Sequence, residues 1–457
     1  MTRLRSFGAS VGQGSYSESA RQAVHMSMGA FALLLRWLTW WQAIALAASA
    51  LVFNLFLLPR LRVNLYRPGD RERDVHGIIW YPLAVLLLLV TFPRRPDIAA
   101  AAWGILAIGD GLATLAGRAI GGPRWPWNHE KTLSGSAAFA IGGAAAGVGL
   151  AWWCRPAVAV PPALAFTIAA PIAAAVAAAL VETIPVRLDD NLSVAATAGA
   201  VMWLASLVAL AQLPEGWALA AGRLPSALAL NILVAWAGHR AHTVSWAGAI
   251  TGAMIGVMVF AGLGWQGWIL LLLTFIAASV ASRLGLKRKL LLGIAEERGG
   301  RRGPGNAIAN TGVAAIAAVL ALVVAPDDGA RLAFVAALVA GGSDTIASEI
   351  GKAWGRRTWS ITSLAHVPPG TSGAMSLEGT AAGVAGAVGL GLAAVALGLA
   401  PLVWMAAIVI GATAGSLLES WLGATLEAPG ILNNDMLNFI NTAASAVVAI
   451  VIVAWTS

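Results

Sequence analysis

The chain has 457 residues, of which 59% are hydrophobic and only 11% are charged. Apolar runs of about twenty residues exclude a soluble globular protein and predict membrane-spanning helices. These runs do not alternate between apolar and polar residues, as residues 168–181 illustrate, so a β-barrel is excluded as well. The single cysteine, Cys154, excludes an internal disulfide. We therefore predict an all-α polytopic membrane protein.

The apolar runs predict about fifteen transmembrane helices, separated by short polar breaks. In chain order these spans fall at roughly 23–38, 42–58, 77–92, 98–117, 134–152, 157–182, 192–212, 218–238, 244–262, 265–282, 306–325, 330–350, 376–399, 402–422 and 437–455. The first twenty or so residues carry arginines among serine and glycine, without an apolar signal-peptide core. We expect them to form a short cytosolic tail.

Most of the 29 lysines and arginines fall on one side of the membrane when the spans are threaded with the N-terminus inside. They are concentrated in residues 60–73, 283–302 and 352–357. The positive-inside rule makes that side cytoplasmic. The net charge of +8 therefore reports topology, and we expect no nucleic-acid binding. The expected location is the inner (plasma) membrane, with the N-terminus and the candidate active sites on the cytoplasmic side.

An internal repeat relates residues 110–118 to residues 344–352. Both segments read Asp, any residue, an aliphatic residue, Ala, a small hydroxyl residue, two further residues, Gly and a cation. Each is followed by a hydroxyl residue, Leu, any residue, Gly and a second hydroxyl residue, at 132–136 and at 376–380. An even number of predicted spans separates the copies, so we expect two parallel repeated halves that share one orientation.

The repeat divides the chain into a first half, residues 1–214, and a second half, residues 215–457. Later in each half a helix ends in a carboxylate, Glu182 or Glu419, followed by a cluster of Asn and Asp. Phosphoryl transfer needs Mg²⁺, which proteins hold with one or two carboxylates plus waters and phosphates. The candidate catalytic and metal-binding carboxylates are Asp110, Glu182, Asp189, Asp190, Asp344, Glu349, Glu419 and Asp435.

Two cations and a helix start in the first half suit a phosphate group. Arg118 would contact phosphate as a planar fork, and Lys131, a catalytic candidate, as a point charge. The residues after Lys131 precede a new helix, whose free N–H groups and dipole attract an anion. The nucleotide-binding candidates there are Thr132, Ser134, Gly135 and Ser136. An ordinary helix cap is the alternative interpretation.

The first half, residues 20–213, resembles the dolichol kinase and phytol kinase family of CTP-dependent polyprenol kinases. The motifs that carry this resemblance are Arg21 to His25 with Gly29, Gly109-Asp110 with Gly117-Arg118, Lys131-Thr132 with Gly135-Ser136, and Glu182 with Asp189-Asp190-Asn191-Leu192. The resemblance implies that this half phosphorylates a prenyl alcohol with CTP. It also implies that His25 contacts the substrate and that Asn191 contacts the nucleotide.

The second half, residues 218–457, resembles a different family, the integral membrane proteins that include plant phytyl-phosphate kinase and its animal relatives. The residues that carry this resemblance are Ser343-Asp344-Thr345, Ala347-Ser348-Glu349, Pro368-Pro369-Gly370-Thr371-Ser372-Gly373, Ser376, Gly379-Thr380, Gly415-Ser416, Gly423-Ala424-Thr425, Asn310-Thr311-Gly312 and Asn438-Phe439. The implied activity is phosphorylation of a prenyl monophosphate to the diphosphate. The implied nucleotide and substrate contacts are Gly370, Thr371, Ser372, Gly373, Ser376, Asn310 and Asn438.

The second half lacks one cation of the first, because Met375 stands where Lys131 stands. A substrate that already carries a phosphate needs a positively charged contact. The candidates for this contact are Lys352, Arg356, Arg357 and the basic glycine-rich stretch 298–303, in which Arg302 is the expected substrate contact. An anchor against anionic lipid is the alternative interpretation of that stretch.

The two halves together predict a bifunctional isoprenoid kinase. It would convert a prenyl alcohol such as phytol, geranylgeraniol or farnesol to the monophosphate with CTP and Mg²⁺, and then to the diphosphate with a donor that the sequence leaves open. Two other classes remain open. A CTP-dependent lipid-phosphate cytidylyltransferase uses a similar set of Lys-Thr, Gly-Ser and paired Asp residues. A secondary transporter also contains repeats and intramembrane acids, although its site is expected near the bilayer midplane.

Overall fold

A computed structural model describes residues 18–60, 76–185, 188–294, 303–427 and 429–456. These residues are almost entirely helical, so the all-α prediction is confirmed. The chain divides into two compact units, unit 1 at residues 1–207 and unit 2 at residues 208–457, and each is described by itself. Three sequence features lie outside the described residues: most of the N-terminal tail, nearly all of the basic stretch at 60–73, and Arg302 with most of stretch 298–303.

Within the described residues, ten helices are long and apolar enough to cross a membrane, and two shorter helices are also apolar. The predicted count of about fifteen spans is not confirmed. The predicted first span, 23–38, is a short α-helix followed by a 3₁₀ segment, Gly29–Arg36. The predicted span at 157–182 begins only at Leu164, because two consecutive prolines precede it and prevent the helix from starting earlier.

Unit 1 consists of eight helices and one short antiparallel hairpin in its described part. The elements are α1 (Glu18–Met28), α2 (Trp40–Val52), α3 (His76–Thr91), α4 (Pro96–Gly104), α5 (Asp110–Ala119), β1 (Arg124–Trp125), β2 (Asn128–Thr132), α6 (Leu133–Cys154), α7 (Leu164–Val181) and α8 (Asp190–Ser206). A π-helical turn, Ile105–Gly109, joins α4 to α5 just before Asp110. Such turns are frequent at functional sites.

Small residues let the helices of unit 1 approach closely around Asp110. A Cβ at Gly109 would lie 2.8 Å from the ring of Phe139 on α6, so only glycine fits there without displacing the ring. A Cβ at Gly111 would lie 2.4 Å from the side chain of Met26 on α1. Because close packing of this kind drives helix association in membranes, α5 is held between α1 and α6.

Unit 2 also consists of eight helices and one antiparallel hairpin in the residues that the structure describes. The elements are α9 (Leu213–Arg240), α10 (Trp246–Arg283), α11 (Leu286–Leu291), α12 (Pro304–Leu320), α13 (Asp328–Trp354), β3 (Thr358–Ser360), β4 (Ala374–Ser376), α14 (Leu377–Ala396), α15 (Met405–Leu422) and α16 (Asn434–Thr456). Helix α13 is the centre of the unit: it packs against α10, α12, α14, α15 and α16, and residues 334–343 are buried without interruption.

Helix α10 reverses its direction at Gly264, whose φ of +68° is not helical. The side chain of Asn231 contacts both halves of α10: a Cβ at Gly256 would lie 1.8 Å from its Oδ1, and Trp268 donates to that same oxygen at 3.0 Å. A straight helix would separate Gly256 from Trp268 by about 18 Å. The 38 residues of α10 therefore form two helical segments, in agreement with the two predicted spans at 244–262 and 265–282.

Candidate active site

Lys131 joins the acidic residues of unit 1. It lies on β2, and its Nζ donates to Oε1 of Glu182 at 2.6 Å and to Oδ2 of Asp190 at 2.9 Å. Burial by itself lowers the pKa of Lys131, but the charges of Glu182 and Asp190 outweigh burial and raise the pKa above its ordinary value. Lys131 is therefore a permanently charged contact between the hairpin and the segment that links α7 to α8.

Glu182 follows directly after α7 and is only 4% exposed. Burial raises the pKa of its carboxyl to about 7, because the attraction of Lys131 offsets only part of the cost of desolvation. The negative charges of Asp110 and Asp190 raise this pKa further. Asp110 and Glu182, which come from different helices, thus lie close enough to interact electrostatically.

Asp189 caps the start of α8. Its Oδ1 accepts hydrogen bonds from the backbone N–H of Asn191 at 3.0 Å and from the Asn191 amide at 2.6 Å. Burial raises the pKa of Asp189, and these hydrogen bonds counteract part of the increase. Asn191 therefore positions Asp189, and both side chains lie beside the acids that Lys131 joins.

Asp110 begins α5 and faces His25 on α1. Its Oδ2 lies 3.4 Å from Nε2 of the histidine, whose ring packs edge-on against Tyr81 with the ring centroids 4.6 Å apart. Burial lowers the pKa of His25, and the attraction of Asp110 does not reverse this effect. The imidazole is consequently neutral near pH 7 and able to accept a proton.

Thr132 is the N-cap of α6, as its position before a helix start indicated. Its Oγ1 accepts a hydrogen bond from the N–H of Gly135 at 3.1 Å. A Cβ at Gly117 would lie 3.0 Å from the same Oγ1, so α5 and α6 meet closely at this point. Arg118 follows in the last turn of α5 and is exposed.

The remaining hydroxyl candidates of unit 1 hold the hairpin in place. Ser134 donates to the carbonyl of Gly121, and Ser136 accepts from the indole N–H of Trp125 at 2.9 Å. Trp127 donates to the hydroxyl of Thr183 at 3.1 Å. Thr183 lies just after α7, and its contact with Trp127 connects that segment to the hairpin. The sequence did not single it out.

Asp344 and Glu419 form the centre of the acidic group in unit 2, where their carboxyl groups lie within hydrogen-bonding reach of each other. Oδ1 of Asp344 accepts from the hydroxyl of Ser416 at 2.7 Å, and Oε2 of Glu419 accepts from the amide of Asn441 at 2.7 Å. Gly415 allows α15 and α16 to approach, because a Cβ there would lie 2.4 Å from Oδ1 of Asn441.

A polar cavity of about 300 Å³ contains this pair. It brings together most of the site residues predicted in the second half, namely Asn310, Asp344, Lys352, Gly370, Thr371, Ser372, Gly373, Ser376, Glu419 and Asn438. Ser376 caps α14 by accepting from the N–H of Gly379 at 3.1 Å. The first turn of α14 lines the cavity, so its helix dipole favours an anion there. Glu427, which the sequence did not single out, lines the cavity as well.

The glycine-rich loop before β4 reaches the cavity because two of its residues have positive φ, +87° at Gly370 and +72° at Gly373. A Cβ at Gly373 would lie 2.4 Å from the carbonyl of Ser420. The loop backbone therefore packs directly on the end of α15, next to Glu419. Any larger residue at Gly373 would push the loop away from this helix.

Glu349 and Asp435 are not among the described residues that line the cavity. Glu349 is 2% exposed and accepts from Lys289 and, at 3.2 Å, from Lys352. Asp435 lies beside the first turn of α12, where a Cβ at Gly305 would lie 2.1 Å from its Oδ2. Both acids thus stand next to the cavity rather than in its wall.

Lys289 is a residue that the sequence did not reveal. It is 1% exposed, donates to Glu349 and to the carbonyl of Ser282, and belongs to a basic stretch that the positive-inside rule already explained. Glu349 is the sequence feature that could have indicated this lysine, because a buried carboxylate requires a cation. Of the other proposed cations, Lys352 lines the cavity, whereas Arg356 and Arg357 are exposed.

Within the residues that the structure describes, no three His, Cys, Asp or Glu side chains are close enough to bind a metal ion between them. Two carboxylates are nevertheless the usual protein contribution to a Mg²⁺ site that also uses nucleotide phosphates. Asp344 and Glu419 fit this donor set, since they meet in a polar cavity. In unit 1 the pair that fits is Asp110 and Asp189. The carboxylates of Glu182 and Asp190 already form ion pairs with Lys131.

Comparison with known proteins identifies the family. The sequence model of the family named integral membrane protein DUF92 matches residues 229–446. An uncharacterized membrane protein of Synechocystis is 40% identical over 43% of this chain and 78% of its own length. The chain belongs to this DUF92 family of integral membrane proteins. The matched range lies within unit 2 and includes the Asp344–Glu419 pair.

Two plant proteins are also similar to the chain. The chloroplastic protein VTE6 of Arabidopsis thaliana is 34% identical over 49% of this chain and 70% of its own length. The probable chloroplastic phytol kinase 3 of soybean, Glycine max, is 27% identical over 39% of this chain and 60% of its own length. No solved structure gives a significant match.

Proposed function

We propose that the chain is a bifunctional membrane isoprenoid kinase. Unit 1 would phosphorylate a prenyl alcohol to the monophosphate with CTP, and unit 2 would phosphorylate that monophosphate to the diphosphate. The observation that carries the proposal is the polar cavity of unit 2, in which two facing carboxylates, a helix N-terminus and Lys352 surround a space for a phosphate group. The relative named as a phytol kinase supports the same chemistry.

In unit 1 the neutral His25 beside Asp110 would accept the proton of the prenyl hydroxyl. The alcohol oxygen forms a bond to the γ-phosphorus of CTP while the bond from that phosphorus to the bridging oxygen breaks, and CDP leaves with this oxygen. Lys131 would attract the phosphate oxygens, and Glu182 and Asp190 hold its Nζ in position. Phosphoryl transfer depends chiefly on such positioning and charge stabilisation.

In unit 2 the nucleophile is already an anionic phosphate oxygen, so a general base is less important. Lys352, fixed by Glu349, and the first turn of α14 would bind the anionic groups. Asp344 and Glu419 would hold Mg²⁺, which neutralises the charge on the phosphate oxygens when it is bound. We further propose that both sites face the cytoplasm of the cell, on the basis of the positive-inside rule.

The test is a reaction of purified protein with geranylgeraniol and with geranylgeranyl monophosphate, each in the presence of CTP labelled on either the γ- or the α-phosphate. Transfer of the γ-label to lipid is expected. Transfer of the α-label together with cytidine would instead show a cytidylyltransferase.

Two variants assign the steps to the units. Asp110→Asn is expected to remove phosphorylation of the alcohol but not of the monophosphate, and Asp344→Asn is expected to make the monophosphate accumulate. Asp327→Asn is the matched control, because Asp327 directly precedes α13, several helical turns from Asp344, and forms an exposed ion pair with Arg331. Loss of both steps in either variant would mean one shared centre and would contradict a bifunctional enzyme.

A further inference from the structure

Unit 2 contains a second cavity, of about 410 Å³, between α9, the two segments of α10, α12 and α13. Small or apolar residues form most of its wall, among them Val234, Gly248, Gly252, Leu271, Phe275 and Gly342. Its lining on the second segment of α10 runs from Trp268 to Ala278, which corresponds to a depth of about 15 Å along a helix axis. The cavity is therefore long and apolar.

Asn231 and Thr274, which line the deep part of this apolar cavity, are already hydrogen-bonded within the protein. Asn231 donates to the carbonyl of Ala227 at 2.8 Å and accepts from Trp268 at 3.0 Å. Thr274 donates to the carbonyl of Leu270 at 2.9 Å. Because these groups need no further partner, the deep part of the cavity favours an apolar ligand over a nucleotide base or a sugar.

The apolar cavity and the polar cavity share Asn306 and Asn310 in their walls. Asn310 is 7% exposed, and its amide donates to the backbone carbonyl of Asn306 at 3.0 Å, which fixes the orientation of the side chain. Its Oδ1 has no hydrogen-bond partner among the described residues, and neither has Oδ1 of Asn306. An unsatisfied buried acceptor is costly, so these oxygens point to a ligand that donates a hydrogen bond at the junction.

Helix α13 changes character at the same junction. Gly341 and Gly342 line the apolar cavity, and the next residues, Ser343 and Asp344, line the polar cavity. A ligand that lies across the junction must therefore have a polar head on one side and an apolar chain on the other.

We infer that the apolar cavity binds the prenyl chain of the lipid phosphate and that Gly252 in its wall limits the length of the chain that unit 2 accepts. This inference rests on the proposed function, because the head group is then the phosphate that reacts beside Asp344. The monoanionic form of the phosphate carries one hydroxyl, which donates to one of these amide oxygens, and its unprotonated oxygens remain available for the reaction beside Asp344. The chain lies among α9, α10 and α12, and its free end reaches the Asn231–Trp268 contact.

Gly252→Phe tests the inference. Gly252 lines the cavity, and the position where its Cβ would stand has no described atom within 4 Å, so the first carbon of the new side chain meets no clash. Gly222→Phe is the matched control, because Gly222 is a helical glycine with equally open surroundings that is exposed outside the cavity. The measurement is kcat/KM for the monophosphates of geraniol, farnesol and geranylgeraniol.

The expected result is a loss of about tenfold or more with geranylgeranyl monophosphate in Gly252→Phe, and little change with geranyl monophosphate, since a few methylene groups account for such factors in an apolar pocket. Gly222→Phe is expected to keep the wild-type ratio. Equal activity of Gly252→Phe on all three substrates would overturn the inference. Inactivity of the wild-type protein on all three would instead contradict the proposed function.

A binding experiment supplies a readout that does not depend on turnover. Farnesyl monophosphate with a diazirine at the end of its chain is expected to label peptides of α9, α10 or α12, and excess geranylgeranyl monophosphate should prevent the labelling. Labelling that the competitor leaves unchanged would show a general lipid site and overturn the inference. If Gly252→Phe does not fold, Ala253→Leu, at a neighbouring position in the same wall, replaces it in the kinetic experiment.

Discussion

The two units place the same helix cap beside opposite electrostatic arrangements. In unit 1 Thr132 caps α6 next to Gly117, and Lys131 neutralises two acids. In unit 2 Ser376 caps α14 next to Gly351, but Met375 stands before it, and the acids Asp344 and Glu419 face each other. The backbone geometry therefore does not determine the charge of the site, which depends on the residue before the cap.

The largest expected effect sharpens this comparison in unit 2. Asp344→Asn keeps an acceptor for the Ser416 hydroxyl but removes one of the two facing carboxyl groups. We expect phosphorylation of the monophosphate to fall by at least about 100-fold, since even outer-shell partners of a metal account for about 10- to 100-fold. Thermal stability in detergent should stay the same or increase, because the amide keeps hydrogen-bonding groups toward Ser416 and Glu419 and removes an ionisable group from a buried position. A decrease in both activity and stability would show that the carboxylate serves the fold.

Lys131→Met places a methionine before the cap of α6, as Met375 stands before the cap of α14 in unit 2. It leaves Glu182, whose side chain is 3% exposed, without its cation, and breaking a buried pair of this kind costs about 3 kcal/mol. The stability of the variant should therefore fall at pH 8, in contrast to that of Asp344→Asn. The control is Lys131→Met combined with Glu182→Leu, which should recover stability without recovering phosphorylation of the alcohol. A single variant as stable as the wild type would remove the contrast between the units.

Local sequence patterns predicted the caps and the loops better than they predicted the partners of the acids. Thr132 and Ser376 were identifiable as helix starts, because a hydroxyl residue before an apolar run is a short-range signal. The meeting of Asp344 with Glu419 was suggested by the repeat alone. The Lys289–Glu349 pair was missed, because its members are distant in sequence and only the packing of α11 on α13 brings them together.

The number of spans shows the same limit. Hydropathy indicated the two segments of α10, since a glycine-rich break separates two apolar runs. It did not indicate that α8 ends at Ser206 or that the first predicted span changes from α-helix to 3₁₀ at Gly29. Both outcomes depend on packing within unit 1, which the apolar content of a segment does not determine.

The pH dependence of unit 1 is expected to differ from that of unit 2. The pKa of Glu182 is raised to about 7, so only the protein above this pH carries the full ion pair with Lys131. Phosphorylation of the alcohol should increase about tenfold between pH 6 and pH 8, since the ionised fraction changes by that factor. Glu182→Gln should flatten this profile, and Asp97→Asn, which alters an acid paired with Arg95 instead, should not.

The raised pKa of Glu182 has the opposite effect on stability, which is expected to decrease as the pH rises. The pKa of Glu182 in the folded protein exceeds its ordinary value of 4.5, so protonation of this group stabilises the fold at low pH. That contribution is complete below about pH 4.5 and is lost as the pH rises through about 7. Melting temperatures of the wild type and of Glu182→Gln should consequently diverge over this interval. Parallel melting curves would show that the carboxyl is not buried as described.

The smallest expected effect concerns the N-cap hydrogen bond that both units contain. Thr132→Ala and Ser376→Ala each remove one N-cap hydrogen bond, which typically costs about 1 kcal/mol. The two variants should lose similar stability, since the caps accept from Gly135 and Gly379 at the same distance of 3.1 Å. Thr132→Ser and Ser376→Thr are the controls, because each keeps the accepting hydroxyl. If one alanine variant lost its activity without losing stability, that hydroxyl would contact the nucleotide. The two caps would then share their backbone geometry but not their function.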